Sequence, residues 1–107
     1  MANIATGRMT AIVVSVLTAC AFFDAHENFK NIMQVQVGRG IEDPYNTRNR
    51  YPNRFIASNV LQNGNVEEEF QAGRGLRCRV FFEIDTKAQQ IVGWRYEGTK
   101  DDCAIVP

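Results

Sequence analysis

The sequence predicts an α+β domain in which one N-terminal helix packs on a four-stranded antiparallel β-meander. Three observations lead to this fold class. Apolar residues recur at intervals of three and four between positions 22 and 37, which is the period of one helix face. Asn63-Gly64 separates two strand-like runs, and residues 77–97 contain two further runs that alternate as half-buried strands do.

Residues 1–19 are expected to be a secretion signal that lies outside the fold. Arg8 forms a short basic region, an apolar run covers residues 9–19, and small residues precede Cys20. This arrangement resembles the bacterial lipobox, in which the cysteine is lipidated and becomes the first residue after cleavage. The run of about eleven residues is too short for a transmembrane helix, which needs about twenty. The alternative is that residues 9–19 form an ordinary buried helix or strand.

The mature chain, residues 20–107, is predicted to be one domain that begins with a helix. Asp24 is the expected N-cap, since its carboxylate can accept hydrogen bonds from the first helical turn. The helix is expected to end near Val37, ahead of Gly38. Phe22 has two possible environments, the domain core and the lipid interface beside the anchor. The apolar face comprises Phe22, Phe29, Ile32, Met33 and Val37.

Residues 39–53 are predicted to form a long loop. The segment is rich in residues that favour turns, namely Pro44, Asn46, Asn49, Pro52 and Asn53. Loops of this length are uncommon inside compact domains and often carry function.

Four strands are expected at residues 55–61, 66–71, 77–84 and 90–97. The first two form a hairpin, because Asn-Gly suits the positive φ angles of a type I′ turn. In the third strand Cys78, Val80, Phe82 and Ile84 share one face, and Arg77, Arg79, Phe81 and Glu83 share the other. In the fourth strand Val92, Trp94 and Tyr96 are expected to share a face.

The outward face of this predicted sheet carries opposite charges. Glu67 and Glu69 are expected on it, with Arg77 and Arg79 as their cross-strand partners. Phe81 lies on the same face. Two explanations remain open for this aromatic residue, a contact with another protein and a cover provided by the long loop.

Cys78 and Cys103 are predicted to form a disulfide. With Cys20 committed to lipid, they are an even pair in a compartment outside the cytoplasm, where disulfides persist. Closing a loop of about 25 residues is worth roughly 3 kcal/mol in the chain-entropy model. The alternative is one buried and one exposed thiol.

Two segments and a cysteine carry a resemblance to a known family. They are Cys-Arg-Val-Phe-Phe-Glu-Ile-Asp at 78–85, Ile-Val-Gly-Trp-Arg-Tyr-Glu-Gly at 91–98, and Cys103. Together with the lipobox and the helical N-terminal part, this layout resembles small proteobacterial envelope lipoproteins of the BamE (SmpA/OmlA) group. The resemblance implies a role in outer-membrane assembly and assigns no functional residue.

No residue pattern in the chain predicts catalysis, a metal site or a cofactor. His26 is the only histidine, and it lacks a neighbouring cysteine or serine with which to form a nucleophile and base pair, so we expect it to be solvated on the helix. The chain has twelve basic and twelve acidic side chains. Loss of the leader with Arg8 leaves eleven against twelve, so no net field attracts nucleic acid.

The best binding candidates are the five residues that we call the arginine segment, namely Tyr45, Arg48, Arg50, Tyr51 and Arg54. Arginine forks suit phosphate and carboxylate groups, and the tyrosines add stacking surface. The export signal argues against nucleic acid and favours an envelope protein or an anionic envelope polymer as the ligand. The alternative is a solvated loop with no ligand.

The sequence therefore predicts a non-enzymatic envelope protein that is lipid-anchored through Cys20 and faces the periplasm. Its expected role is that of a binding or scaffold module in outer-membrane assembly or maintenance. Ala21 stands where an aspartate would retain a lipoprotein in the inner membrane of enteric bacteria, which favours the outer membrane. The alternative function is inhibition of a periplasmic hydrolase such as lysozyme, since rigid disulfide-linked domains make preorganised inhibitors. The oligomeric state is left open.

Overall fold

A computed structural model of the chain describes residues 24–106. The predicted leader, the lipidation site Cys20 and the residue Phe22 lie outside the described residues. Their roles therefore stay predictions.

The described residues form one main helix and a four-stranded antiparallel sheet with strand order β1-β2-β3-β4, which confirms the predicted fold class. The elements are α1 (Ala25–Gln34), a one-turn helix α2 (Thr47–Arg50), β1 (Phe55–Val60), β2 (Val66–Ala72), β3 (Cys78–Asp85) and β4 (Gln90–Glu97). Two short 3-10 helices cover Pro52–Arg54 and Arg74–Leu76.

The cap of α1 is the predicted one, and its end comes earlier than expected. Asp24 accepts hydrogen bonds from the backbone N–H groups of His26 at 2.9 Å and Glu27 at 3.3 Å. The α-helix ends at Gln34, because the N–H groups of Gln36 and Val37 reach back only three residues. A turn then leads to Gly38, whose φ of +91° favours glycine.

The core lies between α1 and the β3–β4 half of the sheet. Phe29 and Met33 on the helix are buried against the sheet residues Val80, Phe82 and Ile91. The ring of Phe29 also meets Trp94 edge to face, with 5.9 Å between ring centres. Since the helix covers only this half, β1 at the far edge keeps exposed side chains.

The expected face of β4 is wrong at one position. A register irregularity pairs Glu83 with Gly93 but Ile84 with Ile91, so one extra residue falls between the two pairs. This bulge turns Ile91 into the core and leaves Val92 exposed. Strict alternation along the strand would place Val92 on the same face as Trp94. The bulge that changes this has no clear sequence signature, so the sequence does not predict it.

The predicted long loop contains regular structure. Asn46 caps α2 by accepting a hydrogen bond from the Asn49 N–H at 2.9 Å, and its amide donates to the Gly40 carbonyl at 3.0 Å. Asn46 is fully buried. The Thr47 N–H donates to the side chain of Gln36 at 3.1 Å. Buried hydrogen bonds thus hold the segment against the end of α1.

The predicted disulfide between Cys78 and Cys103 is present. It ties the start of β3 to the C-terminal tail, and both cysteines are fully buried. The tail then runs along the N-terminal end of α1, where the Ile105 N–H donates to the Ala25 carbonyl at 3.0 Å.

Replacing Cys103 with serine is expected to lower the free energy of unfolding by about 3 kcal/mol, because the unfolded chain regains the entropy of an open loop. Urea denaturation of the oxidised protein measures this loss. Wild-type protein under reducing conditions is the matched control and is expected to unfold at the same urea concentration as the variant. Equal midpoints for the variant and the oxidised wild type would contradict the prediction.

Candidate functional site

Strand β1 forms one edge of the sheet. Within residues 24–106 it pairs with β2 alone, so the other side of its backbone has no strand partner there. We call this outward side of Phe55–Val60 the β1 edge.

The opposite edge of the sheet is partly covered by the chain itself. The Gly38 N–H donates to the Ile91 carbonyl at 2.7 Å, and the Ile91 N–H donates to the Arg39 carbonyl at 2.9 Å. Gly40 forms an isolated antiparallel bridge with Gln90. The first residues of β4 therefore have backbone partners on their outward side as well as on β3. The outward side of β1 has no such partner within residues 24–106.

The backbone groups available on the β1 edge follow from the hairpin register. The Leu61 N–H donates to the Asn65 carbonyl at 2.8 Å, so Leu61 directs its backbone toward β2. Direction alternates along an antiparallel strand. Ala57 and Asn59 therefore face β2, and Ser58 and Val60 direct their N–H and C=O groups outward.

The side chains of β1 do not protect this edge. Phe55, Ile56 and Val60 are exposed apolar residues, and the side chain of Val60 is 77% accessible. The strand contains no charged residue and no proline, which are the usual means of preventing edge pairing. The only irregularity is a register shift between Phe55 and Ala57.

Arg48, a predicted ligand-binding residue, is occupied by contacts within the chain. Its guanidinium donates to both carboxylate oxygens of Glu68, which lies on the helix side of β2. It also donates to the Ile41 carbonyl at 3.0 Å. Arg48 therefore fastens α2 to the sheet, and nothing in its surroundings points to an external anion.

Replacing Arg48 with methionine is expected to cost about 2 kcal/mol of stability, because the carboxylate of Glu68 loses its partner while remaining largely covered. Arg50→Met is the matched control, since Arg50 is exposed, and it is expected to change stability by less than about 0.5 kcal/mol. Urea denaturation compares the two variants. Equal losses would show that the Arg48 contact does not stabilise the fold.

Three other members of the arginine segment come together beside β1. The guanidinium of Arg54 lies over the ring of Tyr51 at 4.2 Å from its centre, and that of Arg50 lies at 5.7 Å. We call Arg50, Tyr51 and Arg54 the arginine–tyrosine cluster. Among the described residues neither arginine forms an ion pair, and the cluster runs directly into Phe55.

Tyr45 stands apart from this cluster. It is 75% exposed in the turn before α2, where its N–H donates to the carboxylate of Asp43 at 2.9 Å. No aromatic or cation contact within residues 24–106 includes its ring. The five predicted residues therefore divide into a cluster of three, one structural arginine and one separate tyrosine.

A small cleft lies between α2 and the β1–β2 hairpin. Its volume is about 270 Å³, and its lining residues are Arg48, Asn49, Pro52, Phe55, Glu68 and Phe70. Phe55 is half-exposed and meets the buried ring of Phe70 edge to face. The cleft extends the apolar surface of β1 inward from its exposed edge.

Phe81 is covered by charged side chains of its own sheet. It is only 7% exposed, and the guanidinium of Arg95 lies 3.7 Å from its ring centre. Arg95 also pairs with Glu67 at 2.8 Å, and this hydrogen bond raises the pKa of the guanidinium. The cover is therefore neither the predicted loop nor a partner protein.

The predicted ion pairs on this outward face are partly correct. Arg79 pairs with Glu69 at 2.6 Å, as expected for neighbouring strands. Arg77 instead pairs with Asp102 in the C-terminal tail, at 3.2 Å. Arg77 lies before β3 begins, so it does not take part in the sheet register.

The expectation that His26 is solvated is wrong. Its side chain is 6% exposed, and Nδ1 donates to the Cys103 carbonyl at 2.7 Å. Nε2 lies 3.3 Å from the hydroxyl of Tyr96. His26 therefore joins α1 to both the tail and β4. The sequence offers no signal for this, since the partners lie 77 and 70 residues away.

Residues 24–106 contain neither a metal-binding cluster nor a membrane-spanning helix. In that part of the chain no three histidine, cysteine or acidic side chains are grouped closely enough to hold a metal ion. No helix there is long and apolar enough to cross a membrane.

Sequence reasoning missed the β1 edge as a binding surface. The available signal was the uncharged sequence Phe-Ile-Ala-Ser-Asn-Val at 55–60, placed directly after the arginine segment and before the Asn63-Gly64 turn. A first strand in a meander lies at an edge. Because β1 lies at the edge, its apolar residues Phe55, Ile56 and Val60 are exposed.

Comparison of the chain with protein-family models, curated proteins and solved structures finds no match. The function must therefore be inferred from the geometry of this chain.

Proposed function

We propose that this chain is a non-enzymatic, lipid-anchored envelope protein that acts as a binding or scaffold module in outer-membrane assembly or maintenance. The single observation that supports this proposal is the β1 edge. An edge strand whose outward N–H and C=O groups have no strand partner within residues 24–106 can accept an extended segment of another protein as an additional strand.

The surroundings of the β1 edge support such docking. The outward backbone groups of Ser58 and Val60 offer hydrogen bonds, and the exposed side chains of Phe55, Ile56 and Val60 offer apolar contact area. With six residues, β1 provides about 20 Å of edge. Segments of similar length bind other proteins by strand addition.

The predicted lipid anchor would join the domain at the start of α1. Cys20 lies four residues before Asp24, so the lipid would stay within about 14 Å of the start of α1. Helix α1 packs against β4, and β1 lies three strand spacings away, about 14 Å across the sheet. The anchor would therefore enter the domain through the element that packs against β4, and not through β1.

The docking role is tested by placing a photo-crosslinking amino acid at Val60 of the full chain in intact cells. We expect a light-dependent adduct whose partner mass spectrometry identifies as an outer-membrane assembly or maintenance protein. Lys100 is the matched control, since it is exposed after β4 at the opposite side of the sheet, and it is expected to give no such adduct. No adduct at Val60, or equal adducts at Val60 and Lys100, would contradict the proposal.

The same experiment distinguishes the alternative function. A periplasmic hydrolase such as lysozyme as the crosslinked partner would replace the scaffold role with that of an inhibitor. Hydrolase activity measured with and without the purified protein then decides between a bound enzyme and an inhibited one.

The anchor is tested separately by metabolic labelling with radioactive palmitate. The wild-type chain is expected to carry the label in the outer-membrane fraction, and Cys20→Ser is expected to carry none. Cys103→Ser is the control for loss of a cysteine and should retain the label. An unlabelled wild-type chain would exclude lipid anchoring while leaving docking at β1 open.

A further inference from the structure

We propose that the segment that docks on the β1 edge is an extended peptide with acidic side chains at the end next to Arg54. This inference rests on the proposed docking at β1 and adds the chemistry of the partner. The observation that carries it is the position of the arginine–tyrosine cluster at one end of an uncharged edge strand that has no strand partner on its outward side within residues 24–106.

Arg54 is arranged to receive an anion. Its guanidinium uses one face to stack on Tyr51, at 4.2 Å from the ring centre, which leaves the N–H donors at its rim available. The 3-10 turn Pro52–Arg54 holds the two residues together, and the Arg54 N–H donates to the Tyr51 carbonyl at 3.0 Å. Less side-chain entropy is then lost on binding than for an unrestrained arginine.

The charged side chains at the two ends of the β1 edge differ in sign. Arg50 and Arg54 lie at the Phe55 end. Near the hairpin turn at the other end lie two carboxylates and one ammonium group, those of Glu83, Asp85 and Lys87, which together leave an excess of negative charge. Glu83 accepts hydrogen bonds from the amides of Asn63 at 3.2 Å and Asn65 at 2.7 Å. A partner strand with its acids beside Arg54 matches this gradient, and the reverse placement opposes it.

A second copy of the chain fits the edge less well. Two β1 strands paired about a twofold axis at Asn59, with Ser58 opposite Val60, would bring Arg54 beside Gly64. Residues 55–65 contain no charged side chain, so the arginines of both copies would remain without carboxylates. An isologous dimer would therefore provide hydrogen-bond partners for the outward backbone groups of β1, but no carboxylates for Arg50 and Arg54.

An anionic membrane surface fails in the opposite way. Lipid phosphates would satisfy Arg50 and Arg54, but a headgroup layer offers no strand to pair with Ser58 and Val60. Of these three occupants, the acidic extended segment is the one that answers both the backbone and the cationic cluster.

The test measures binding of fluorescent octapeptides to the full chain, expressed with its leader and extracted in mild detergent. One peptide alternates valine and threonine and ends in two aspartates. A second ends in two asparagines, and a third repeats the acidic peptide with alternate backbone nitrogens methylated. We expect the acidic peptide to bind about five times more tightly than the asparagine peptide at low salt, since exposed ion pairs are individually weak. The methylated peptide should lose binding because it cannot form the ladder.

The double variant Arg50→Gln/Arg54→Gln is expected to abolish the preference for aspartate and to retain binding of the asparagine peptide. Lys30→Gln/Lys100→Gln removes the same charge on α1 and after β4, on the other half of the sheet, and should keep the preference. Thermal unfolding of each variant confirms that the fold is intact.

Four outcomes would overturn the inference. Equal binding of the acidic and asparagine peptides removes the acidic requirement, and equal binding of the methylated peptide removes strand pairing. Self-association that depends on dilution and on Arg54 indicates a second copy. Arginine-dependent binding to phosphatidylglycerol vesicles without peptide binding indicates a membrane ligand.

The crosslinking result separates this inference from the proposed function. If adducts at Val60 persist in the Arg50→Gln/Arg54→Gln variant at wild-type yield, docking at β1 holds and the acidic partner is wrong. If no adduct forms at Val60 in any variant, the docking role itself is wrong.

Discussion

Gly73→Ala is expected to destabilise the fold by about 3 kcal/mol or more, which is among the largest losses that we expect from a single substitution in this chain. Gly73 has φ +73° and ψ −161°, a region that is open to glycine and costly for other residues. A Cβ atom there would lie 2.1 Å from the carbonyl oxygen of Asp102 and 2.9 Å from the Cβ atom of Cys78.

The overlap at Gly73 cannot be relieved by a small local shift. The Asp102 carbonyl accepts the Arg74 N–H at 2.8 Å, and the next residue, Cys103, is bonded to Cys78. The tail must therefore move together with the disulfide. Urea denaturation is expected to show the loss as a lower midpoint with an unchanged slope.

Gly38→Ala is the matched control for backbone strain. Gly38 has φ +91°, and no atom lies within 4 Å of the position that a Cβ atom would take, so alanine there is expected to cost about 1 kcal/mol from conformation alone. A loss at Gly73 that is no larger than the loss at Gly38 would show that the tail does not press on this turn.

His26→Ala is expected to cost about 3 kcal/mol. The change leaves a cavity beside Phe29 and removes the hydrogen-bond partner of the buried Cys103 carbonyl. It also removes the contact with the Tyr96 hydroxyl. Because this residue joins α1 to the tail, hydrogen exchange at the Ile105 N–H is expected to accelerate along with global unfolding.

Two variants separate the contributions at His26. Asn31→Ala changes an exposed position of the same helix and is expected to stay within about 0.5 kcal/mol of wild type. Tyr96→Phe removes only the hydroxyl and is expected to cost about 1 kcal/mol. An unchanged unfolding midpoint in His26→Ala, with unchanged exchange at Ile105, would contradict the clamp between helix and tail.

Local chemistry predicted most of the elements. Asp24 caps α1 because a carboxylate at that position reaches the first N–H groups. Asn63-Gly64 connects β1 and β2 as predicted, but the turn is not the expected type I′, because Gly64 has a positive φ of +86° and Asn63 does not. The alternation in β3 places Cys78 and Phe82 in the core because side chains on a strand point to opposite faces in turn.

The predictions that the structure overturned have a different cause, namely contacts between residues that are distant in the sequence. The bulge that buries Ile91 in place of Val92 depends on how two strands pair, which periodicity along one strand does not report. Arg48 is structural because Glu68 lies on the helix side of β2, within reach of α2. His26 is buried because the disulfide brings the tail back over the helix.

The sequence by itself determined the order of the elements, the faces of most of them and the pairing of two cysteines, because capping, turn and alternation rules act over a few residues. The tertiary structure decided which charged side chains form ion pairs within the fold and which remain available to a ligand. Arg48 is satisfied by a carboxylate 20 residues away, whereas Arg50 and Arg54 stack on Tyr51 beside the edge strand β1. That difference depends on distances between elements, and it identifies the β1 edge as the surface to test.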